Sequence, residues 1–257
     1  MKQTEKLAES IKANLDKKKK IFFFFDYDGV LAPIQNNPST AYLRAKTKRM
    51  LLRIAAKNFF KIAIVSGRHL STLKKLTKIK TKKIALVGSH GLELFLQCKK
   101  RFLLSKNIGI LKSIKARVIN LAKSKANGFV ETKPYTLTYH IRDKKNKELV
   151  KTLSMAINKL LNKLKLSQKI QILEGKNIVE IMPREITKGK AVEKVIKLYP
   201  GYLPIYFGDD VTDISALKIV KKYKGISISL NPHLRFKADF LINQKDIRHL
   251  LSGLLQV

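Results

Sequence analysis

Apolar residues fall along this chain in two rhythms. Leu7, Ile11 and Leu15 recur every four residues and predict a helix over 3–18 with one buried stripe. The unbroken run Ile21 to Phe25 then predicts a strand apolar on both faces, as in the middle of a parallel sheet. Helix and strand patterns alternate from there: a helix over 41–57, a strand from Lys61 to Val65, a helix over 69–77, a strand from Ile84 to Val87. The alternation resumes with a helix over 188–199, a strand from Pro204 to Phe207, a helix over 212–223, strands from Gly225 to Ser229 and from Phe240 to Ile242, and a last helix over 245–255. Such an order implies a parallel sheet with helices on both faces.

The middle of the chain breaks the pattern. Leu92 to Leu96 and Arg101 to Leu104 read as a hairpin. Residues 109–183 read as helix, two strands (Gly128 to Glu131 and Thr136 to Arg142, parted at Pro134), helix, and two more strands. The last pair, Ile170 to Leu173 and Asn177 to Met182, flanks a turn at Glu174-Gly175-Lys176. The expected fold class is α/β: a Rossmann-like parallel-sheet core of residues 1–106 and 184–257, with a small α+β unit, 107–183, inserted in it.

Composition narrows the picture. A chain of 257 residues has room for such a core and insert. The single cysteine, Cys98, forms no internal disulfide, so cysteine usage gives no sign of an oxidising compartment. Met1 to Lys20 is polar and lysine-rich without a signal-like apolar stretch, and Ile21 to Phe25 is too short to span a bilayer. The expectation is a cytoplasmic protein with no membrane partner. Lys and Arg number 54 against 18 Asp and Glu, a net charge of +36. Such a field attracts nucleic acid, anionic surfaces or phosphorylated metabolites. The lysines are scattered over nearly every helix and loop, with no localised patch or nucleic-acid module, so nucleic acid is not expected as a partner.

The acidic residues are the informative minority. Asp26-Tyr27-Asp28-Gly29 follows the first buried strand, where parallel sheets bind ligands. Paired carboxylates there suit phosphoryl transfer, one attacking phosphorus and the other handling the leaving group's proton. Gly208-Asp209-Asp210-Val211-Thr212-Asp213 follows another buried strand. Carboxylates gathered at a strand end repel one another unless a cation holds them, and hard oxygen donors near phosphate suit Mg²⁺. A helix-capping role covers Asp213 and Asp210 but not the whole set. Ser66-Gly67-Arg68 offers a hydroxyl and backbone amides at a helix start, a phosphate site. Lys188 at another helix start is unfavourable to the helix dipole and makes sense facing a phosphate and a carboxylate.

In this order the four motifs resemble the haloacid dehalogenase superfamily of phosphohydrolases. Finer details are similar to its trehalose-6-phosphate phosphatase family: Phe25 to Ile34, Ser66-Gly67-Arg68, Gly88-Ser89-His90-Gly91-Leu92-Glu93, Glu131-Thr132-Lys133 with Tyr139-His140-Ile141-Arg142, Val179-Glu180-Ile181 before Lys188-Gly189, and Gly208 to Asp213. Two positions depart from the family: Val30 stands where Thr is usual, and Ile214 where an acid is usual. The resemblance implies Mg²⁺-dependent hydrolysis of a sugar phosphate, with Asp26 as nucleophile and Asp28 as acid and base. It implies metal ligands from Asp26, Asp28 and Asp209, with Asp210 and Asp213 behind them. It places phosphate on Ser66, Gly67 and Lys188. It assigns Lys133, His140, Arg142 and Glu180 of a cap at 107–183, with Arg68 and His90, to the sugar, and it expects cap closure to exclude water. The alternative substrate is another phosphorylated disaccharide or a glycosyl-glycerol compound. A trehalose-6-phosphate synthase of the same pathway is the candidate partner.

Overall fold

Five consecutive apolar side chains, Ile21 to Phe25, are each at most 2% exposed and form the centre of the larger unit. Burial at about 1.5–3 kcal/mol per large side chain makes this strand worth about 10 kcal/mol, gross of chain entropy. The computed structural model describes residues 2–35, 37–97, 99–102, 107–132, 136–142, 148–175 and 177–257. Cys98, Lys133, Pro134 and Lys176 lie outside the described residues. The chain divides into two compact units, Met1–Leu103 with Thr187–Val257, and Leu104–Ile186.

In chain order the larger unit begins with α1 (Gln3–Asp16), β1 (Lys20–Asp26), α2 (Ala45–Ile54), β2 (Phe60–Val65), α3 (Leu70–Thr77), β3 (Ile84–Gly88), β4 (Glu93–Leu96) and β5 (Lys99–Phe102). The smaller unit supplies α4 (Ile108–Lys125), β6 (Gly128–Thr132), β7 (Leu137–Ile141), α5 (Glu148–Lys163), β8 (Ile170–Gly175) and β9 (Ile178–Pro183). The larger unit then resumes with α6 (Lys188–Leu198), β10 (Tyr202–Gly208), α7 (Ile214–Lys222), β11 (Ile226–Ser229), β12 (Phe240–Leu241) and α8 (Gln244–Leu254).

The larger unit's sheet has the order β12-β11-β10-β1-β2-β3-β4-β5. It is parallel from β12 to β3, and the β4–β5 hairpin adds antiparallel strands at one edge. Alternate side chains of β1 serve two cores, as the period of a strand requires. Phe23 and Phe25 pack with Leu7 and Ile11 of α1, Leu51 and Ile54 of α2, Leu73 of α3 and Leu251 of α8. Phe22 and Phe24, stacked at 4.4 Å, pack on Val192 and Val195 of α6 and Leu217 of α7. Register then fixes the site: Asp26 pairs with Val65 and Phe25 with Phe207, so Ser66 and Asp209 emerge beside Asp26 at one edge.

Two helices start later than their apolar periodicity suggests. Residues 41–44 stay outside α2, because Tyr27's hydroxyl donates to the Ala41 carbonyl and the Leu43 amide to the Leu76 carbonyl. Residues 211–213 form a 3-10 turn before α7, because the Asp213 carboxylate is turned back onto the amides of Asp209 and Asp210.

The smaller unit is a four-stranded antiparallel sheet, β6-β7-β9-β8. Val130, Leu137, Tyr139, Ile141, Val179 and Ile181 pack with α4 and α5. Strand alternation therefore places Phe129, Glu131, Thr138, His140 and Glu180 on the opposite face. Among the described residues no helix is long and apolar enough to cross a membrane.

Candidate active site

Asp26 ends β1 as a carboxylate only 4% exposed, in an environment that opposes its charge. Burial first, then the negative Asp213, raises its pKa well above the usual carboxylate range, and Lys188 works against both. That lysine is the first residue of α6, whose start is capped by Thr187 Oγ1 accepting from the Lys190 amide. Lys188 Nζ donates to Asp26 Oδ1 at 2.8 Å and to Asp213 Oδ1 at 2.7 Å, and it is 3% exposed. Burial disfavours its charge, but Asp213 and Asp26 hold its pKa above the ordinary lysine value. A cation held this firmly is a fixed electrostatic element.

Asp213 is fully buried and has no lone pair to spare. Its Oδ1 accepts from Lys188 and from Tyr206 Oη at 2.6 Å, and its Oδ2 accepts from the amides of Asp209 and Asp210, both at 3.1 Å. Four acceptances fill a carboxylate's capacity. Asp213 therefore sets the lysine and the loop, and contributes no open coordination position. Asp210 is exposed and caps the 3-10 turn, accepting from the Val211 amide at 2.7 Å and Thr212 Oγ1 at 3.3 Å.

Asp209 is the opposite case. Its Oδ1 is buried and has no hydrogen-bond partner among the described residues. Burial and then Asp213 raise its pKa to about 6. Oxygen atoms of Asp26, Asp209 and Asp213 lie within 4.8 Å of one another. Gly29 closes the same space: its φ is +79°, and a Cβ there would overlap Asp209 Oδ2. A carboxylate oxygen without a hydrogen bond among the described residues, beside a second buried carboxylate bridged by Lys188, is a donor set that a divalent cation fits. An open cavity of about 500 Å³ borders this spot and is lined by Gly29, Asp209 and Asn231 among others.

Asp28 lies beyond the strand end in a fork with Arg68, Nε to Oδ2 and Nη2 to Oδ1, both 2.7 Å. Arg68, expected among the sugar contacts, thus engages the expected acid–base residue. Ser66 is 1% exposed. Its Oγ accepts from the Arg68 amide at 3.1 Å, which leaves its own proton to donate. Gly67 admits the His90 ring, which a Cβ would meet at 2.5 Å.

In the smaller unit, His140 Nε2 lies 2.9 Å from Glu131 Oε2, and its ring stacks on Phe129 at 4.7 Å. Glu180 is 7% exposed, with Thr138 Oγ1 at 3.5 Å. Arg142 is exposed, its amide donating to the Asn127 carbonyl. Lys133 falls outside the described residues.

Three contributors carry no motif in the sequence. Tyr206, a tyrosine inside an apolar strand, signals a buried hydroxyl needing a partner, and finds Asp213. Asn231 donates from Nδ2 to the Asp209 carbonyl at 3.0 Å, and nothing local marks it. Ser215 Oγ accepts from the Gly189 amide at 3.0 Å, where the backbones come so close that a Cβ on Gly189 would collide with the Ser215 carbonyl.

A family model described as trehalose-phosphatase matches residues 24–241. The chain belongs to the trehalose-phosphatase family. It is 28% identical to the probable trehalose-phosphate phosphatase H of Arabidopsis thaliana over 95% of this chain and 74% of that one. It is 32% identical to the probable trehalose-phosphate phosphatase 4 of Oryza sativa subsp. japonica over 79% and 56% of the two chains. It therefore spans only a little over half of the rice relative's length. The C-terminal domain of the trehalose-6-phosphate phosphatase of C. albicans has the same fold, with a TM-score of 0.77 and 22% identity over 96% of each chain. The fold is that of haloacid dehalogenase phosphatases, and the family is one of phosphomonoester hydrolases.

Proposed function

We propose that this protein hydrolyses trehalose 6-phosphate to trehalose and orthophosphate through an aspartyl-phosphate on Asp26. The observation that carries the reading is the buried bridge Asp26–Lys188–Asp213 beside Asp209 Oδ1, which has no hydrogen-bond partner among the described residues. Asp26 attacks phosphorus in line. The ester P–O bond breaks with its electron pair on the sugar oxygen, which Asp28 protonates. Water then attacks the phosphoryl group, Asp28 takes a proton from that water, and Asp26 is released with orthophosphate. Ser66, the Gly67 amide and Lys188 stabilise charge on the equatorial oxygens.

Asp26 and Asp209, with the Asp28 carbonyl, would hold Mg²⁺, which when bound neutralises phosphoryl charge. Asp213 and Asp210 brace this set through the loop. Before Asp28 acts as an acid, its fork with Arg68 must loosen, and sugar hydroxyls or phosphate oxygens are the natural competitors for that guanidinium. Lys133, His140, Arg142, Glu180 and His90 contact the sugar. Phe129 and Glu131 share the sheet face with His140 and Glu180 and belong to the same surface.

The test is a phosphate-release panel over sugar phosphates with Mg²⁺. Release from trehalose 6-phosphate well above other esters is the expected result. Equal rates on many unrelated esters would remove the sugar assignment, and no release from any would remove the reading itself.

A further inference from the structure

The turn after β3 is held in a conformation its residues do not favour. Ser89 and His90 take left-handed backbone angles, φ 51° and 55°. Residues with a Cβ adopt these only where the surroundings impose them. The group positioned to impose them is Glu93 at the start of β4, a carboxylate 6% exposed. Its Oε2 accepts from Ser89 Oγ at 2.8 Å and from the Leu70 amide at 2.9 Å, and pairs with His69 Nδ1 at 3.3 Å.

One carboxylate oxygen thereby joins two segments. The first runs from Ser66 to Leu70, and the second is the turn from Ser89 to Gly91. They are laced together by backbone as well: the Ser89 amide donates to the Arg68 carbonyl at 2.7 Å, and the His90 amide to the Ser66 carbonyl at 3.1 Å. The second lacing ends in the contact of the His90 ring with Gly67. Hydrogen bonds to an ionised acceptor are about twice as strong as neutral ones, so this junction is stiffer than the same bonds made to a carbonyl.

We propose that Glu93 is a positioning residue for the phosphate pocket. It touches no reacting atom. It sets Ser66 and Gly67 through the lacing, Arg68 and hence Asp28 through the start of α3, and His90 through the strained turn. The inference rests on reading residues 66–68 as the phosphate loop. A carboxylate that served only to cap α3 would need the Leu70 contact alone, whereas here the same oxygen also accepts from Ser89 Oγ in the strained turn.

The experiment compares Glu93→Gln, Glu93→Ala, Ser89→Ala and the Ser89→Ala/Glu93→Gln double variant. Readouts are melting temperature, kcat and KM on trehalose 6-phosphate, and the dissociation constant of orthophosphate with Mg²⁺ measured by calorimetry. Loss of an aligned phosphate-pocket donor costs about 100-fold in kcat, so Glu93→Ala is expected to lose about that much with KM changed less than about threefold. Glu93→Gln, which keeps the shape and one acceptor, recovers to within about 10-fold. Orthophosphate binding weakens in the same order, and the Ser89 and Glu93 effects are less than additive because they share one contact. Orthophosphate binding unchanged in folded Glu93→Gln and Ser89→Ala overturns the proposal. So does a loss confined to melting temperature with kcat per folded site intact. If Glu93→Ala does not fold, Glu93→Gln and Ser89→Ala decide between these outcomes. An unsubstituted protein that binds orthophosphate but releases none from any ester fails the functional reading, while the binding series still decides the role of Glu93.

Discussion

In the larger unit three charged groups of the site are shut away and multiply tethered. Asp26, Lys188 and Asp213 are 4, 3 and 0% exposed, and Asp213 alone accepts four hydrogen bonds. In the smaller unit Glu180 is buried, but Phe129, Glu131 and Arg142 are exposed, and His140 is half-buried, held by Glu131 and by the stacked ring of Phe129. Under the proposed function the difference matches two tasks. Phosphoryl transfer needs charge fixed before the reaction, since dipoles and charges that must reorganise lose their advantage. Sugar recognition tolerates side chains that adjust on contact. The first region should therefore respond to substitution in kcat and stability, and the second in KM.

The largest effect expected is at Asp26, the proposed nucleophile. Asp26→Asn should abolish turnover while leaving the fold intact, read by phosphate release and by circular dichroism; substantial residual turnover would break the assignment. Lys188→Met comes next. It leaves Asp26 and Asp213 facing each other without their shared cation, and removing one partner of a buried pair costs about 3–5 kcal/mol. Denaturant melts should show that loss without added metal and a smaller one with Mg²⁺, while an unchanged midpoint in both would contradict the electrostatic account. Phe129→Ala sharpens the other side of the comparison. It should raise KM for trehalose 6-phosphate about 10-fold, the value of one good aromatic contact, and leave kinetics on p-nitrophenyl phosphate unchanged. Equal effects on both substrates would place Phe129 outside sugar recognition.

The smallest effect is at the edge of the larger unit's sheet. Asp239 accepts from the Ser227 amide at 2.8 Å and Ser227 Oγ at 2.6 Å, and pairs with Lys221 at 3.1 Å. Burial pushes its pKa up, but Ser227 and Lys221 together hold it below the usual carboxylate value. A lowered folded-state pKa gives stability that is present above the unfolded value, about 4, and is lost as pH falls through the folded one. Asp239→Asn should cost about 1 kcal/mol at neutral pH, reduced by solvent screening, with the difference vanishing in acid. A penalty that persists at low pH would assign the effect to packing.

Legibility followed the strength of local signals. The strand Ile21 to Phe25 and the acidic clusters after β1 and β10 could be read because apolar period and motif spacing are local properties of the chain. The start of α2 could not, because the contacts that keep residues 41–44 out of the helix come from Tyr27 and Leu76. That Arg68 also forks onto Asp28 could not be read, because the two lie 40 positions apart in sequence. Asn231 carries no chemical signature of its own, and Glu93, though inside a family-like segment, shows its contacts with Ser89 and Leu70 only in the structure.

By itself the sequence determined which groups are available: a pair of carboxylates, a loop of carboxylates, a lysine, a serine with glycine, and strands to bring them to one edge. Only the tertiary structure decided how they divide the work. It filled every acceptor of Asp213, left Asp209 Oδ1 without a hydrogen bond among the described residues, and closed Arg68 on Asp28. Those outcomes depend on angles and distances of a few ångströms between strands far apart in the chain, and hydrogen-bond capacity is settled at that scale.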